Sequence, residues 1–263
     1  MELRRRAELV ATSRADELSL RALLDVATVT DADDARIVGG QMTALLLTAF
    51  PVPGIPARRT RDADTAITTA LAGSGVLHDR LTALGYAATA GNSYSRPVPE
   101  LAEPDEEPPE LSVDLLVPSF DGRFRRSSHG GRAFDAVPGL GLALAIPPIT
   151  IDVGATLLDG SLVEFVVHVP TVEVAVIVKA HAWASRLQPR DIEDIYRLME
   201  IIDAYPASDI GGWQLDQEGL RASRRDAATH LHGLGRRPRR PDEADVPAAR
   251  LAALIAAHVA RPD

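Results

Sequence analysis

Three aspartates in the first half of the chain have the residue type and the spacing to bind a divalent cation. Asp62 and Asp64 form an Asp-x-Asp pair in a segment that suits a strand, and Asp114 lies within the apolar run LSVDLLVP. Residues i and i+2 of a strand point to the same face, so Asp62 and Asp64 would lie side by side. If the two strands are adjacent, three carboxylates converge, and such a cluster suits Mg²⁺.

Each of these signals also has an ordinary structural explanation. An Asp-x-Asp pair arises by chance in many acidic sequences, and a lone strand aspartate is often an edge residue or the neighbour of a turn. A charge at Asp114, between Val113 and Leu115, would still be costly in a buried strand unless it is paired or bound to a cation. The order of the three acids along the chain favours the metal site.

Lys179 is the only lysine among 28 basic residues. A GC-rich genome explains a drift from Lys to Arg, and a lysine that escapes such a drift suggests a position where a guanidinium does not serve. On a helix, Lys179 shares a face with Trp183 and Arg186. The alternatives are a surface lysine or an ion pair with Asp191 or Asp194.

The elements that must position these residues are a mixture of helices and strands. Apolar spacing and good helix formers predict one long helix over 2–29. Asp191 is predicted to cap the second of two helices that follow a β-hairpin. The other predicted elements are a strand at 37–38, a Gly39-Gly40 turn, a helix at 42–50, a loop at 51–57, strands at 60–68, 86–89, 93–96 and 111–118, a helix at 76–85, an exposed acidic loop at 99–110, a hairpin at 149–153 and 162–169, and helices at 171–187, 191–204, 215–232 and 246–260.

Composition limits the class of protein. The chain has 263 residues, a formal net charge of −9 and no cysteine, which excludes disulfides, thiolate metal sites and cysteine nucleophiles. An acidic chain contacts nucleic acid only through a local basic patch. The start MELRRRAELV has basic residues but no apolar segment typical of a signal peptide, and no apolar run is long enough to cross a bilayer. We therefore expect a cytoplasmic protein with no membrane partner.

These residues, taken in order, resemble the nucleotidyltransferase superfamily of the DNA polymerase beta type. The resemblance rests on Gly39-Gly40, RTRDAD at 59–64 and VDLL at 113–116. Further on, VKAHA at 178–182 with Arg186, and RDIEDI at 190–195, resemble the AbiEii-like nucleotidyltransferases of toxin–antitoxin pairs. The similarity runs from about 36 to 200. It implies an α+β fold with a short mixed sheet flanked by helices, divided into an N-terminal helix at 1–30, a catalytic domain at 31–170 and a C-terminal helical region at 171–263.

The resemblance also implies a site and a reaction. Mg²⁺ would be held by Asp62, Asp64 and Asp114, which are catalytic together with Lys179, and a nucleoside monophosphate would pass from an NTP to an acceptor hydroxyl. The implied nucleotide-binding residues are Gly39, Gly40, Thr60, Lys179, Asp191 and Asp194. The implied partners are the NTP, tRNA or another macromolecule as acceptor, and an antitoxin protein.

Two other functions stay open at this point. The first is nucleotidyl transfer to a small hydroxylated molecule such as an aminoglycoside, and the second is a non-catalytic binding module on the same fold. Aromatic residues make up only 4% of the chain, so platforms for base stacking are scarce. Three basic clusters could contact RNA phosphates or could be solvated loops: Arg58-Arg59-Arg61, Arg123-Arg125-Arg126 and Arg236–Arg240.

Overall fold

A computed structural model describes residues 3–57, 60, 62–237 and 245–262. The strands are β1 (Leu3–Val10), β2 (Ala35–Ile37), β3 (Ala63–Ile67), β4 (Ala87–Ala90), β5 (Ser93–Pro97), β6 (Glu110–Pro118), β7 (Arg125–His129), β8 (Arg132–Val137), β9 (Ile149–Thr156) and β10 (Leu162–Val169). The helices are α1 (Arg14–Thr30), α2 (Gly39–Ala49), α3 (Thr69–Ser74), α4 (Val76–Ala83), α5 (Leu140–Ala145), α6 (Val172–Arg186), α7 (Pro189–Ala204), α8 (Ala222–Arg236) and α9 (Ala248–His258). The α+β class expected from the sequence is confirmed.

The larger of two sheets is mixed, and β6 lies at its centre. Its path is β2-β3-β6-β5-β4, and β8 and β7 extend it from the second half of β6. β3 runs parallel to β6 along one edge, whereas β5 and β8 share the other edge. Along β6 the residues Leu111, Val113, Leu115 and Val117 are buried, and the alternate residues lie on the opposite face. This alternation leaves Asp114 outside the apolar core.

The smaller sheet contains the predicted hairpin and a strand that the sequence did not indicate. β9 pairs antiparallel with β10 and parallel with β1. The expected helix over 2–29 is therefore wrong at its start: residues 3–10 are a strand, and the helix begins at Arg14 after Ser13 caps it. Arg4 pairs with Asp152 across the sheet, so contacts distant in sequence outweigh the local helix preference of LRRRAELV.

Most other predicted elements are confirmed within a few residues. The hairpin strands, the strand around Asp114 and the helix at 76–83 are present, and the acidic loop is exposed. Three glutamates of that loop form ion pairs with Arg14 and Arg21 of α1. Gly39 and Gly40 are corrected from a turn to the first residues of α2. The divisions at residues 30 and 170 stay predictions.

The helices cover the sheets and form one wall of the site. α6 packs against α7, α8 and α5, while α2 packs against β3 and α7. α6 is buried along nearly its whole length, which explains its apolar composition. Across the described part of the chain, every helix is too short or too polar to span a bilayer.

The smaller sheet should contribute to global stability. Ile151 on the central strand β9 is fully buried, whereas Leu162 on β10 is 62% exposed. Ile151→Ala should lower the free energy of unfolding by about 2–5 kcal/mol, because it leaves a cavity. Leu162→Ala, the control, should change it by less than about 0.5 kcal/mol. Urea unfolding followed by circular dichroism measures both, and equal values would show that this sheet is not part of the cooperative core.

Candidate active site

Three predicted carboxylates face one cleft because of the register between two parallel strands. Asp64 on β3 is the direct partner of Asp114 on β6. Asp62 lies immediately before β3. Ala63, which separates Asp62 from Asp64, is fully buried on the opposite face of the strand. All three aspartates line a cavity of about 260 Å³. The sequence-based expectation that Asp62, Asp64 and Asp114 share a face and a cleft agrees with this arrangement.

Two further polar residues of the cleft were not identified from the sequence. Asp135 on β8 lies opposite Leu116 in the register and lines the same cavity. Ser93 on β5 is the cross-strand partner of Asp114 and donates a hydrogen bond to its Oδ1. The segment around Asp135 shows no clear apolar period, so only the pairing of β8 with β6 reveals its position.

Burial and neighbouring charges change the pKa values of Asp64 and Asp114. Burial raises the pKa of Asp64 from about 3.8 to about 6, with a further contribution from the negative charge of Asp114. The positive charge of Lys179 lowers the pKa of Asp64. Burial also raises the pKa of Asp114, which the Ser93 hydrogen bond partly offsets, while Asp62 and Asp135 add to the rise. The cleft thus holds excess negative charge that a cation would relieve.

The donor set suits a hard divalent cation in type and in charge, because carboxylate oxygens are the ligands that Mg²⁺ prefers. Among the described residues, however, no three acidic or histidine side chains lie close enough to one point to hold a metal ion. Cation binding would have to draw these side chains together.

Gly39 is required by the position of Asp64. It has a φ of +68°, which disfavours any residue with a side chain, and it begins α2 directly after β2. A Cβ at this position would lie only 1.8 Å from Oδ2 of Asp64. Gly39 and Gly40 both line the cleft, so the first turn of α2 brings backbone N–H groups without intrahelical partners to the carboxylates.

The opposite wall of the cleft carries cations that buried acids hold in place. Nζ of Lys179 lies 2.6 Å from Oδ2 of Asp194 and 4.0 Å from Oδ1 of Asp191. Arg186 forms two hydrogen bonds to the Asp191 carboxylate, at 2.6 and 2.7 Å. Lys179 and Arg186 line the cleft, and both lower the pKa of Asp64 through their charge. Of the two alternatives for Lys179, the ion pair is the one observed.

The roles expected for Asp191 and Asp194 need correction. Both carboxylates are fully buried and do not line the cleft, so neither is placed to contact a nucleotide. Their spacing of three residues turns both toward α6, where they position Lys179 and Arg186. Asp191 is also not the N-cap of α7, because the helix starts at Pro189 after Gln188.

The remaining predicted residues are distributed around the cleft. Thr60 lines it, as do Arg190 and Phe124, which the sequence did not single out as site residues. The arginines at 58, 59 and 61 lie outside the described residues. Arg123, Arg125 and Arg126 are exposed at and before β7. Of the third basic cluster only 236–237 are described, at the end of α8.

Comparison with known proteins gives limited similarity. Neither protein-family models nor curated proteins match this chain. Among solved structures, the solution structure of the antibiotic-resistance factor ANT(2'')-Ia is similar over 74% of this chain and 88% of that one, with 13% sequence identity and a TM-score of 0.38.

Substitution of Gly39 should be more harmful than substitution of an equivalent loop glycine. Gly54 has a φ of +79°, close to that of Gly39, but open space around its Cα. Gly54→Ala should cost about 1 kcal/mol of stability from backbone strain alone. Gly39→Ala adds the clash with Asp64 and should cost about 1–3 kcal/mol more. Urea unfolding compares the two variants; equal losses would contradict the close approach.

Asp64→Asn should stabilise the metal-free protein above pH 6. A carboxyl whose pKa is raised in the folded state costs stability when ionised, and this cost disappears as the pH falls from about 6 toward 4. At pH 8 with EDTA, we expect a gain of about 1–2 kcal/mol, discounted for partial exposure, and at pH 4 no difference. The exposed Asp216→Asn is the control. Urea unfolding at both pH values measures the effect, and a destabilised Asp64→Asn at pH 8 would contradict it.

Proposed function

We propose that this protein is a Mg²⁺-dependent nucleotidyltransferase that moves a nucleoside monophosphate from an NTP to an acceptor hydroxyl. The observation that carries the proposal is that Asp62, Asp64 and Asp114 line one cleft, together with Gly39 and Gly40 from the first turn of α2. The excess negative charge favours binding of a cation, and the two glycines at the start of α2 allow phosphate groups to approach the backbone N–H groups.

Each part of the cleft has a separate task in this reaction. Gly39 and Gly40 would bind the β- and γ-phosphates through backbone N–H groups, with Thr60 adding its hydroxyl. Lys179 would offset the charge of the triphosphate, held in position by Asp194. Asp62, Asp64 and Asp114 would hold Mg²⁺, which when bound supplies charge neutralisation for the attacking and leaving oxygens.

The bonds exchanged are those of an in-line displacement at phosphorus. The acceptor oxygen forms a bond to the α-phosphorus, the bond from the α-phosphorus to the bridging oxygen breaks, and pyrophosphate leaves. The proton of the acceptor hydroxyl passes to the carboxylate of Asp114, which acts as the general base. The negative charge of Asp135 raises the pKa of Asp114, and the hydrogen bond from Ser93 lowers it.

The identity of the acceptor belongs to the same proposal. The resemblance of α6 and α7 to the AbiEii-like branch favours tRNA as acceptor, an antitoxin protein as partner and a cytoplasmic location. A small hydroxylated molecule is the second candidate acceptor, and the acidic character of the cleft, with Asp135 as a fourth carboxylate, is the observation that favours it. The two acceptors differ in size and charge, so one assay separates them.

The test is transfer of label from each of the four α-labelled NTPs to total tRNA and, separately, to a panel of aminoglycosides. With Mg²⁺ present, wild-type protein should label one acceptor class and release pyrophosphate. Asp64→Asn should reduce the rate at least a thousandfold, since a carboxylate at the metal site is lost, without loss of folding. Asp216→Asn should retain full activity. Absence of labelling with all four NTPs and both acceptor classes, or activity unchanged in Asp64→Asn, would overturn the proposal.

A further inference from the structure

Two exposed phenylalanines lie four residues apart in the loop that leads into β7. Phe120 is 81% exposed and Phe124 is 42% exposed, in a chain whose other large aromatic side chains are scarce. Phe124 itself lines the cleft. Exposure of two aromatic rings within five residues is unfavourable for solubility unless the rings contact a ligand. The sequence alone suggested that base-stacking platforms are scarce, and the structure places one of the five phenylalanines, Phe124, in the lining of the cleft with Phe120 exposed in the same loop.

The loop that carries these rings is ordered by its own hydrogen bonds. Oγ of Ser119 contacts Oδ1 of Asp121 at 2.9 Å and donates to the carbonyl of Arg123 at 2.6 Å. The backbone N–H of Arg123 donates to Oδ1 of Asp121 at 3.1 Å. The loop is therefore held in a defined turn, which presents Phe120 and Phe124 outward without a large loss of entropy on binding.

Arginines alternate with the aromatic rings along the same segment. The side chains of Arg125 and Arg126 are 57% and 82% exposed, with ion pairs to Asp121 at 3.2 Å and to Asp135 at 3.9 Å. Exposed ion pairs of this kind contribute little and are easily exchanged for a phosphate contact. Arg123 is exposed beside them. Phe120–Arg126 thus forms a basic and aromatic rim on a protein whose net charge is −9.

The order of strands places this rim on the acceptor side of the reaction. From the start of α2 across the sheet, the order is β2, β3 with Asp64, β6 with Asp114, β8 with Asp135, and β7 with the rim. In-line displacement requires the attacking oxygen to lie opposite the leaving pyrophosphate. If the pyrophosphate lies at Gly39, the acceptor approaches from the β7 side. Two strand spacings of about 4.8 Å separate β6 from β7, roughly the span of one or two nucleotides.

We propose that the rim Phe120–Arg126 binds the unpaired end of an RNA strand and presents its terminal hydroxyl to Asp114. Phe120 and Phe124 stack on bases, and Arg123, Arg125 and Arg126 contact phosphates. This proposal rests on the proposed nucleotidyl transfer for the role of the hydroxyl. Three arginines disfavour a cationic small acceptor at this position, and planar rings favour nucleobases over a protein surface, so the rim distinguishes among the acceptors.

The rim is tested by direct binding, without any need for turnover. A fluorescein-labelled single-stranded RNA with a free 3′ hydroxyl is titrated with full-length protein, and anisotropy gives the Kd. Phe120→Leu and Phe124→Leu, which keep an apolar side chain but lose the ring, should each weaken binding about tenfold, whereas Phe124→Trp should restore it. Arg126→Ala should weaken binding and reduce its salt dependence. The controls are Leu162→Ala and Arg6→Ala, exposed residues of the smaller sheet.

Parallel titrations separate the rim from the nucleotide site. Binding of a non-hydrolysable NTP with Mg²⁺ should be unchanged in the rim variants, and the exposed control Asp216→Asn should bind the RNA as tightly as wild type. The proposal is overturned if the leucine variants bind RNA normally, if they lose NTP rather than RNA, or if a DNA strand or an RNA duplex of the same sequence binds more tightly. RNA binding by the rim without any nucleotidyl transfer would support the surface while contradicting the proposed reaction.

Discussion

The pairing of Asp64 with Asp114 across two parallel strands is the constraint on which the rest of the site depends. It places two carboxylates side by side in a half-buried cleft, and burial and mutual repulsion raise the pKa of Asp64 to about 6. Such an arrangement lowers stability unless the surrounding structure or a ligand offsets the charge. The cleft is therefore organised around an electrostatic cost, which is typical of functional sites rather than of a structural core.

The surrounding elements accommodate the buried charge of Asp64. Gly39 leaves the space that the Asp64 carboxylate fills, and the first two residues of α2 line the same cleft. Lys179 and Arg186 lower the pKa of Asp64 from the opposite wall. These two cations are themselves neutralised by Asp194 and Asp191, so they stabilise the cleft without cancelling its negative charge. In the proposed reaction, a cation delivered with the substrate would offset the remaining negative charge.

The correction of Asp191 and Asp194 has a consequence for how the helical motif works. Both acids were expected at the nucleotide, yet they are buried between α6 and α7. A buried acid that fixes a cation is a positioning residue: it holds one rotamer of Lys179 or Arg186 so that less side-chain entropy is lost when a phosphate arrives. In the proposed reaction, the RDIEDI segment would act through Lys179 and Arg186, with which its two aspartates form ion pairs.

The sequence by itself determined the carboxylate set, the strand around Asp114, the hairpin and the paired helices α6 and α7, because these depend on local period, turn chemistry and residue type. It could not determine the strand at 3–10 or the position of Asp135, since both depend on pairing with strands distant along the chain. Nor could it decide which side of α7 Asp191 and Asp194 face, or that Phe124 lines the cleft while Phe120 is exposed in the same loop. Local pattern specifies which face of an element is apolar, but the partner of each face is decided by tertiary packing.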